Sequence, residues 1–576
     1  KPHAPHTDMH GNSHSLPRTR NPIVAFQRWF ESGFETFREG YKGVLQMALA
    51  ARWRVVVGFM GFVLASFALV PYLGTNFFPD VDGGQILIHA RVPVGTRVEE
   101  TAARFSGIEK AIRKVIPEEE IETLVDNIGL PPSWINLIYN NTGVIGTMDG
   151  DIQIALRKGH QPTSDYVREL RKVLPEAFPD TVFSFPPADI VSQILNFGAP
   201  APIDIQIRGA NLNANFEYAN KLIKEIRRIP GVADVRIQQS AKSPAFEVNI
   251  DRSQAQNLGI TPRDVTNNLV VNLAGSSQVA PTFWLNPANG VSYGVVMQTP
   301  QYNLDSLDAL TNLPVGSSNS SNSQAVLGGL STIQRTTRNA VVSQYDIQPM
   351  VQINATTQDT DLGTVAREVR RAIAATEADL PKGTKVVLLG QVRTMEKAFS
   401  GLLWGLLGAV VLIYFLIVIN FQSWRDPFVI VSALPAALAG IVWMLFATRT
   451  TLSVPALTGA IMCMGVATAN SVLVISFARE RLAQLGDPIA AALDAGFVRF
   501  RPVLMTALAM IIGMVPMALG LGEGGEQNAP LGRAVIGGLM FATVATLVFV
   551  PLLFSMVHGR ERSGDQVAFS SGVSHV

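Results

Sequence analysis

Apolar residues gather in one short and one long zone, separated by a long stretch of alternating polarity. A membrane crossing needs about 20 mostly apolar residues. Six stretches qualify: Val55–Leu73, Leu402–Asn420, Phe428–Ala447, Ser453–Ala478, Val503–Leu521 and Ala534–Val557. None contains Asp, Glu, Lys or Arg. Lys and Arg near span ends orient such helices, because they favour the cytoplasmic side. Arg52, Arg54, Arg425, Arg479, Arg481, Arg499, Arg501, Arg560 and Arg562 fall on one side if the spans alternate. The opposite side, the periplasm in a bacterium, then receives everything from Thr75 to about Thr394.

That insertion repeats a strand–helix–strand rhythm. "GQILIHARVPV", "DIQIALRK", "TVFSF", "PIDIQIRG", "VADVRIQQ", "FEVNID", "MVQINAT" and "TKVVLLG" read as strands. Helical spacing is expected over residues 97–115, 164–174, 215–229 and 361–378, with another helix from Thr261. Repeats of this size suggest ferredoxin-like βαβ subdomains. Residues 276–344 are rich in Gly, Ser, Asn and Pro and read as an inserted strand-and-hairpin module. The fold class expected is an α+β membrane protein, six transmembrane helices plus a large periplasmic insertion.

Ahead of the first span, "FQRWFESGFETFREGY" sets Phe26, Trp29, Phe30, Phe34, Phe37 and Tyr41 at helical spacing against a charged face. The expectation is an amphipathic helix on the cytoplasmic membrane surface. Packing of that face on protein is the alternative.

Composition narrows the function. Of 576 residues, 48% are hydrophobic and 16% charged, which sets the chain apart from ordinary soluble proteins. Net charge is +1, so nothing points to nucleic acid. The one cysteine, Cys463, lies inside an apolar run and reads as packing. His3, His6, His10 and His14 lie in a polar N-terminal stretch at irregular spacing, so no metal site is assigned there. No phosphate-cradling glycine loop and no zinc-type His/Cys spacing occurs. Asp80 and Asp82 in "FFPDVDGGQ" follow a span and read as an exit turn rather than catalytic carboxylates. The chain is therefore not expected to be an enzyme. Polar groups inside the spans are mild: Thr458, Thr468, Asn470, Ser471, Ser476 and Thr506. Each also fits ordinary helix packing.

Five stretches, in order, carry a family resemblance: "FFPDVDGG", "FEVNIDRSQAQNLGITPRDV", "FQSWRDPFVIVSALPAAL", "RFRPVLMTALAMIIGMVP" and "GEGGEQNAPLGRAVIGGL". The chain resembles the C-terminal half of a resistance–nodulation–division (RND) efflux permease, of the hydrophobe/amphiphile branch. The resemblance implies an inner-membrane, proton-driven exporter of hydrophobic or amphiphilic compounds, without a bound cofactor. It implies a homotrimer or mixed trimer, joined by a periplasmic adaptor protein and an outer-membrane channel. It also divides the chain. Residues 1–54 become a cytoplasmic connector, 75–201 the third porter subdomain, and 202–275 with 345–394 the fourth. Residues 276–344 become a docking insertion, 402–557 five spans, and 558–576 a cytoplasmic tail. The first half, with six further spans, is expected to lie upstream of Lys1.

Two sites follow from the resemblance. Trp134, Ile135, Leu137, Ile138 and Tyr139 fall where the family has a flexible gate loop, and Phe183 and Phe185 where it has an entrance pocket, ordinary strand packing being the alternative for these two. The family's fourth-span lysine, which pairs with carboxylates of the other half, corresponds to Ala469. Thr468, Asn470, Arg499 and Thr506 match positions near that proton relay. Three readings stay open: carboxylates elsewhere working without lysine, a non-coupling subunit of a mixed trimer, or another ion or a structural role. A metal exporter is placed lower, because Met464, Met505 and Met510 lie along the spans without acidic companions.

Overall fold

The computed structural model describes residues 22–79, 81–130, 143–196, 198–317, 324–522 and 524–559. Six helices among them are long and apolar enough to span a membrane: Arg52–Tyr72, Gln391–Phe421, Arg425–Ala447, Val454–Leu485, Pro488–Ala518 and Ala529–Gly559. Each contains most or all of a predicted span, and several run well past it. The second begins eleven residues earlier, at Gln391 instead of Leu402, directly from the strand Lys385–Gly390.

The third, fourth and sixth spans form the packed interior, while the first, second and fifth are peripheral. Small residues let the inner helices approach. A side chain at Gly440 would strike the Gly537 carbonyl, and one at Gly459 would sit 2.8 Å from the Leu531 carbonyl. Close backbone approach supplies the van der Waals packing that replaces the hydrophobic effect in lipid. The third span breaks near Ser432, just before Pro435. The sixth carries a π-turn at Ala545–Phe549.

The insertion contains two β-α-β-β-α-β units. In the first, strands Gln85–Arg91, Ile121–Ile128, Asp149–Leu156 and Val182–Ser184 form one antiparallel sheet, covered by helices Val98–Val115 and Thr163–Ala177. Strand Asp149–Leu156 inserts between the first two, so they run parallel without touching. The second unit repeats that order with Ile203–Arg208, Val232–Ile237, Gln348–Thr357 and Lys385–Gly390, and adds the short strand Ser343–Tyr345. Asp82 ties the exit from the first span to the first unit by accepting from the Thr163 amide at 3.0 Å.

Two expectations change. "FEVNID", expected in the second unit, lies in Ser243–Ile250, which pairs with Ser331–Arg338. The inserted module therefore begins near residue 243 rather than 276. Its own core of Ala255, Ile260, Val265, Leu313, Val315, Leu327 and Leu330 explains why. Helix Pro262–Ala274 points Val265 into that core, so it folds with the module.

The second change concerns helix Pro22–Ala50. Its Tyr41, Leu45, Ala48 and Leu49 are buried against Phe500, Val503, Leu547 and Leu552 of the fifth and sixth spans. Packing on protein covers this part of the helix, where Gly496 leaves room for Tyr41 and Leu45. Phe37, one turn earlier on the same aromatic face, stays exposed.

Candidate functional site

The fourth span carries a polar patch in an apolar helix. Thr468 donates to the Met464 carbonyl at 2.8 Å, one turn back, and so satisfies itself within the helix. Asn470, buried, lies 3.0 Å from the Thr506 hydroxyl of the fifth span, whose one proton it shares with the Val503 carbonyl at 2.9 Å. Ser471, on the next position, lies 3.0 Å from Thr546 of the sixth span, and both are fully buried. The structure thus brings Asn470 and Thr506 together but not Thr468 or Arg499. Arg499 sits two turns toward the opposite end of the fifth span, its guanidinium 4.9 Å from the Phe477 ring. Ala469 and Thr506 both face outward from this chain's own helices.

A charged clamp at one membrane end was not anticipated. Asp426, buried at the start of the third span, meets Arg479 of the fourth and His558 of the sixth, each at 3.3 Å. The signal in the sequence is a carboxylate beside Pro427 at a span boundary, which reads alone as surface.

The second candidate site is a cavity of about 740 Å³ where the two units meet. Strand Ile203–Arg208 explains its chemistry. Ile203, Ile205 and Ile207 point into the core. Asp204 and Gln206 therefore point the other way and line the cavity with Gln238, Gln352 and Arg393. Asp204 accepts from Gln206 Nε2 at 2.7 Å and from Gln352 Nε2 at 3.3 Å. Burial nevertheless pushes its carboxyl up to about 6, against these hydrogen bonds. Leu130, Val144 and Ile145 form an apolar wall.

A buried ionic network holds this cleft together. Arg91 pairs with Asp149 at 2.6 Å and donates to the Ile237 and Gln238 carbonyls of the second unit. His89 Nδ1 lies 2.8 Å from Asp151. Arg236 is buried beside them, and burial lowers its guanidinium to about 10. Asp149 also accepts from the Ile145 amide at 3.0 Å, and Gln238 donates to the Gly143 carbonyl at 2.7 Å. Both contacts grip the segment entering the expected gate loop from its C-terminal side.

Trp134, Ile135, Leu137, Ile138 and Tyr139 lie outside the described residues. Phe183 does not face the cavity: it belongs to the first unit's core, with Phe178 at 6.5 Å. Strand alternation sends it inward. Phe185 is also mostly buried but borders a second cavity of about 520 Å³, with the Arg171 guanidinium 5.1 Å from its ring. Among the described residues, no group of three or more His, Cys, Asp or Glu is placed to hold a metal ion.

Six apolar helices, two of them joined by a polar pair, and a large two-unit insertion define a multi-spanning membrane architecture. The sequence pattern of the AcrB/AcrD/AcrF family matches residues 11–558, and the chain belongs to that family of RND permeases. It is a multi-pass inner-membrane protein with a large periplasmic part. It is 26% identical over 534 residues to the cobalt-zinc-cadmium resistance protein CzcA of Cupriavidus metallidurans, covering 91% of this chain and 49% of that protein. It is 27% identical over 541 residues to the nickel-cobalt-cadmium resistance protein NccA of Alcaligenes xylosoxydans xylosoxydans, covering 91% and 48%. A crystal structure of a heavy metal efflux pump shares the fold, with a TM-score of 0.76 at 22% identity over 92% of this chain and 52% of that one. The chain spans about half the length of these relatives.

The relatives carry metal-resistance names, which departs from the hydrophobe/amphiphile branch expected from the sequence. Most of the stretches that carried the resemblance lie at span entries and exits. Helix geometry constrains those positions.

Proposed function

We propose that this chain is half of a secondary active RND export permease, moving a small hydrophilic cation from the periplasmic cleft outward under an ion gradient. The observation that carries the substrate class is the buried carboxylate of Asp204 among amide side chains. An apolar drug pocket would leave those groups unpaired on binding, whereas a cation is attracted to them. The metal-resistance names of the relatives support the same reading, with divalent metal ions as the exported substrate. The apolar wall of Leu130, Val144 and Ile145 favours the second reading, export of amphiphiles. The two units are read as ferredoxin-like porter subdomains and residues 243–338 as a docking module. Trimer formation and assembly with an adaptor and an outer-membrane channel belong to the same proposal.

Proton coupling has to work without a lysine at Ala469. Asn470 and Thr506 are neutral, so they can orient an acid carried by another part of the assembly but cannot bind the proton themselves. A lone buried carboxylate facing them would titrate nearer neutrality, because no cation offsets its desolvation.

The test is flux in proteoliposomes holding the complete transporter under an imposed pH gradient. The expected result is efflux of Zn²⁺ or Co²⁺ with counter-movement of protons. Transport of a lipophilic dye but no metal would establish the amphiphile reading. Transport of neither would leave a non-coupling subunit.

A further inference from the structure

The sixth span is not a plain α-helix. Over Ala545–Phe549 it widens into a π-turn, closed by the Val550 amide on the Ala545 carbonyl. Single π-turns inside α-helices are rare and frequently lie at functional sites. This one stands between two contacts. On one side Thr546 meets Ser471 at 3.0 Å, next to Asn470 and its Thr506 partner. On the other side Tyr41 of helix Pro22–Ala50 donates its hydroxyl to the Leu547 carbonyl at 2.7 Å.

Tyr41 is held for this role. Its ring stacks on Phe500, with centroids 4.5 Å apart and planes 24° apart. Gly496 keeps the approach open: a Cβ there would lie 2.6 Å from the tyrosine hydroxyl. A helix carbonyl already bonded along its own axis does not need a second donor delivered by a buried side chain from a different helix. A π-turn disturbs the regular ladder, and an added donor at its carbonyls offsets the loss. A surface groove of about 870 Å³ borders Tyr41, Val544, Leu547 and Val548. Converting the π-turn to α geometry would rotate one end of the span by about 100° relative to the other. Thr546 would then leave Ser471.

We propose that Tyr41 is a positioning residue: through the Leu547 carbonyl it holds the sixth span in its π-turned register, and so sets Thr546 against Ser471 beside the Asn470–Thr506 pair. Coupling of this register to transport rests on the export function proposed above.

The experiment compares the complete transporter with Tyr41→Phe, which keeps the stack and removes the hydroxyl, and with Gly496→Ala, which displaces the hydroxyl from the other helix. Hydrogen exchange in lipid nanodiscs reads the amides of Val550–Leu552. Both variants are expected to speed it roughly three- to tenfold, the effect of losing one hydrogen bond. Metal efflux in proteoliposomes is expected to lose maximal rate by a similar factor, with KM unchanged. Unchanged exchange in Tyr41→Phe overturns the inference, whatever transport does. Faster exchange with unaltered maximal rate in both variants overturns the link to the polar pair. If the unaltered transporter moves neither metal nor dye, the export reading fails, while exchange still decides whether Tyr41 holds the turn.

Discussion

The polar pair in the membrane and the ionic cleft outside it solve opposite problems. Asn470 and Thr506 form one neutral hydrogen bond among apolar helices. The cleft gathers Arg91, Asp149, His89, Asp151 and Arg236 within a buried network. Charge is tolerated in the cleft because Arg91 pairs with Asp149 and two carbonyls and His89 meets Asp151. Arg236 is the exception, with two buried guanidinium nitrogens that have no hydrogen-bond partner. The six apolar stretches contain no Asp, Glu, Lys or Arg, so the polar groups within them, Asn470 and Thr506 included, are uncharged. The comparison teaches where energy can enter. On the export reading proposed above, the cleft binds and discriminates by charge, while the membrane pair responds to charge supplied from outside this chain.

The contrast breaks most severely at Asp149. Its carboxylate anchors Arg91 and the Ile145 amide together. Asp149→Ala leaves Arg91 buried without its counter-ion, which costs about 3–5 kcal/mol. The expected result is a clearly lower unfolding midpoint by circular dichroism for the intact protein. Thr468→Val, whose hydroxyl bonds only its own helix, should move the same midpoint little. Equal losses in both variants would erase the distinction between the regions.

Ala469→Lys sharpens it next. A lysine at a helix centre costs about 2.5–3.5 kcal/mol on insertion scales unless it finds a partner. If carboxylates of the assembly face this position, the new cation lowers their pKa by about 1–3 units. Transport should then lose activity at neutral pH and shift its optimum to the acid side. A variant that inserts poorly, with no shift in optimum, would mean that no acid faces Ala469.

The cleft makes a pH prediction of its own. Burial raises Asp204 to about 6, above the 3.8 of an unperturbed aspartate. The folded protein therefore holds this proton more tightly than the unfolded chain. That contribution to stability is complete below 3.8 and is lost as pH rises to about 6. Cation binding runs the other way, because it needs the carboxylate. Affinity for Zn²⁺ by calorimetry should fall up to about tenfold per pH unit below 6. Asp204→Asn should abolish this dependence and weaken binding at pH 7. An unchanged slope would move the cation site away from Asp204.

Much of this architecture was legible because the physics was local. Apolar runs without charge marked all six spans, and alternation marked the strands. The Ile203–Ile205–Ile207 pattern implied a core face, yet the burial of Asp204 and Gln206 on the opposite face depended on the first unit lying against it. The boundary at residue 243 was missed for a related reason. Ser243–Ile250 has strand character wherever it pairs, and its partner lies about 90 residues on. Phe183 was left open between pocket and core because the two look alike in a three-residue strand, and the structure packs it in the first unit's core. The Asp426–Arg479–His558 clamp joins three distant span ends that nothing in the sequence links. The Asn470–Thr506 pairing was foreseen only as a neighbourhood, since hydrogen-bond partners depend on helix rotation.

The smallest effect belongs to that pair, and it decides what the pair is for. Hydrogen bonds between membrane helices are worth about 0.6 kcal/mol on average, so Asn470→Ala with Thr506→Ala should hardly change folding. If the pair only joins helices, transport should survive as well. If it orients an external acid, flux and proton counter-flow in proteoliposomes should both fall well beyond the roughly threefold that such an energy explains. Thr506→Ser, which keeps the hydroxyl, should restore them. Full activity in the double variant would assign Asn470 and Thr506 to packing, and the ion-responsive element would have to be sought outside the fourth and fifth spans.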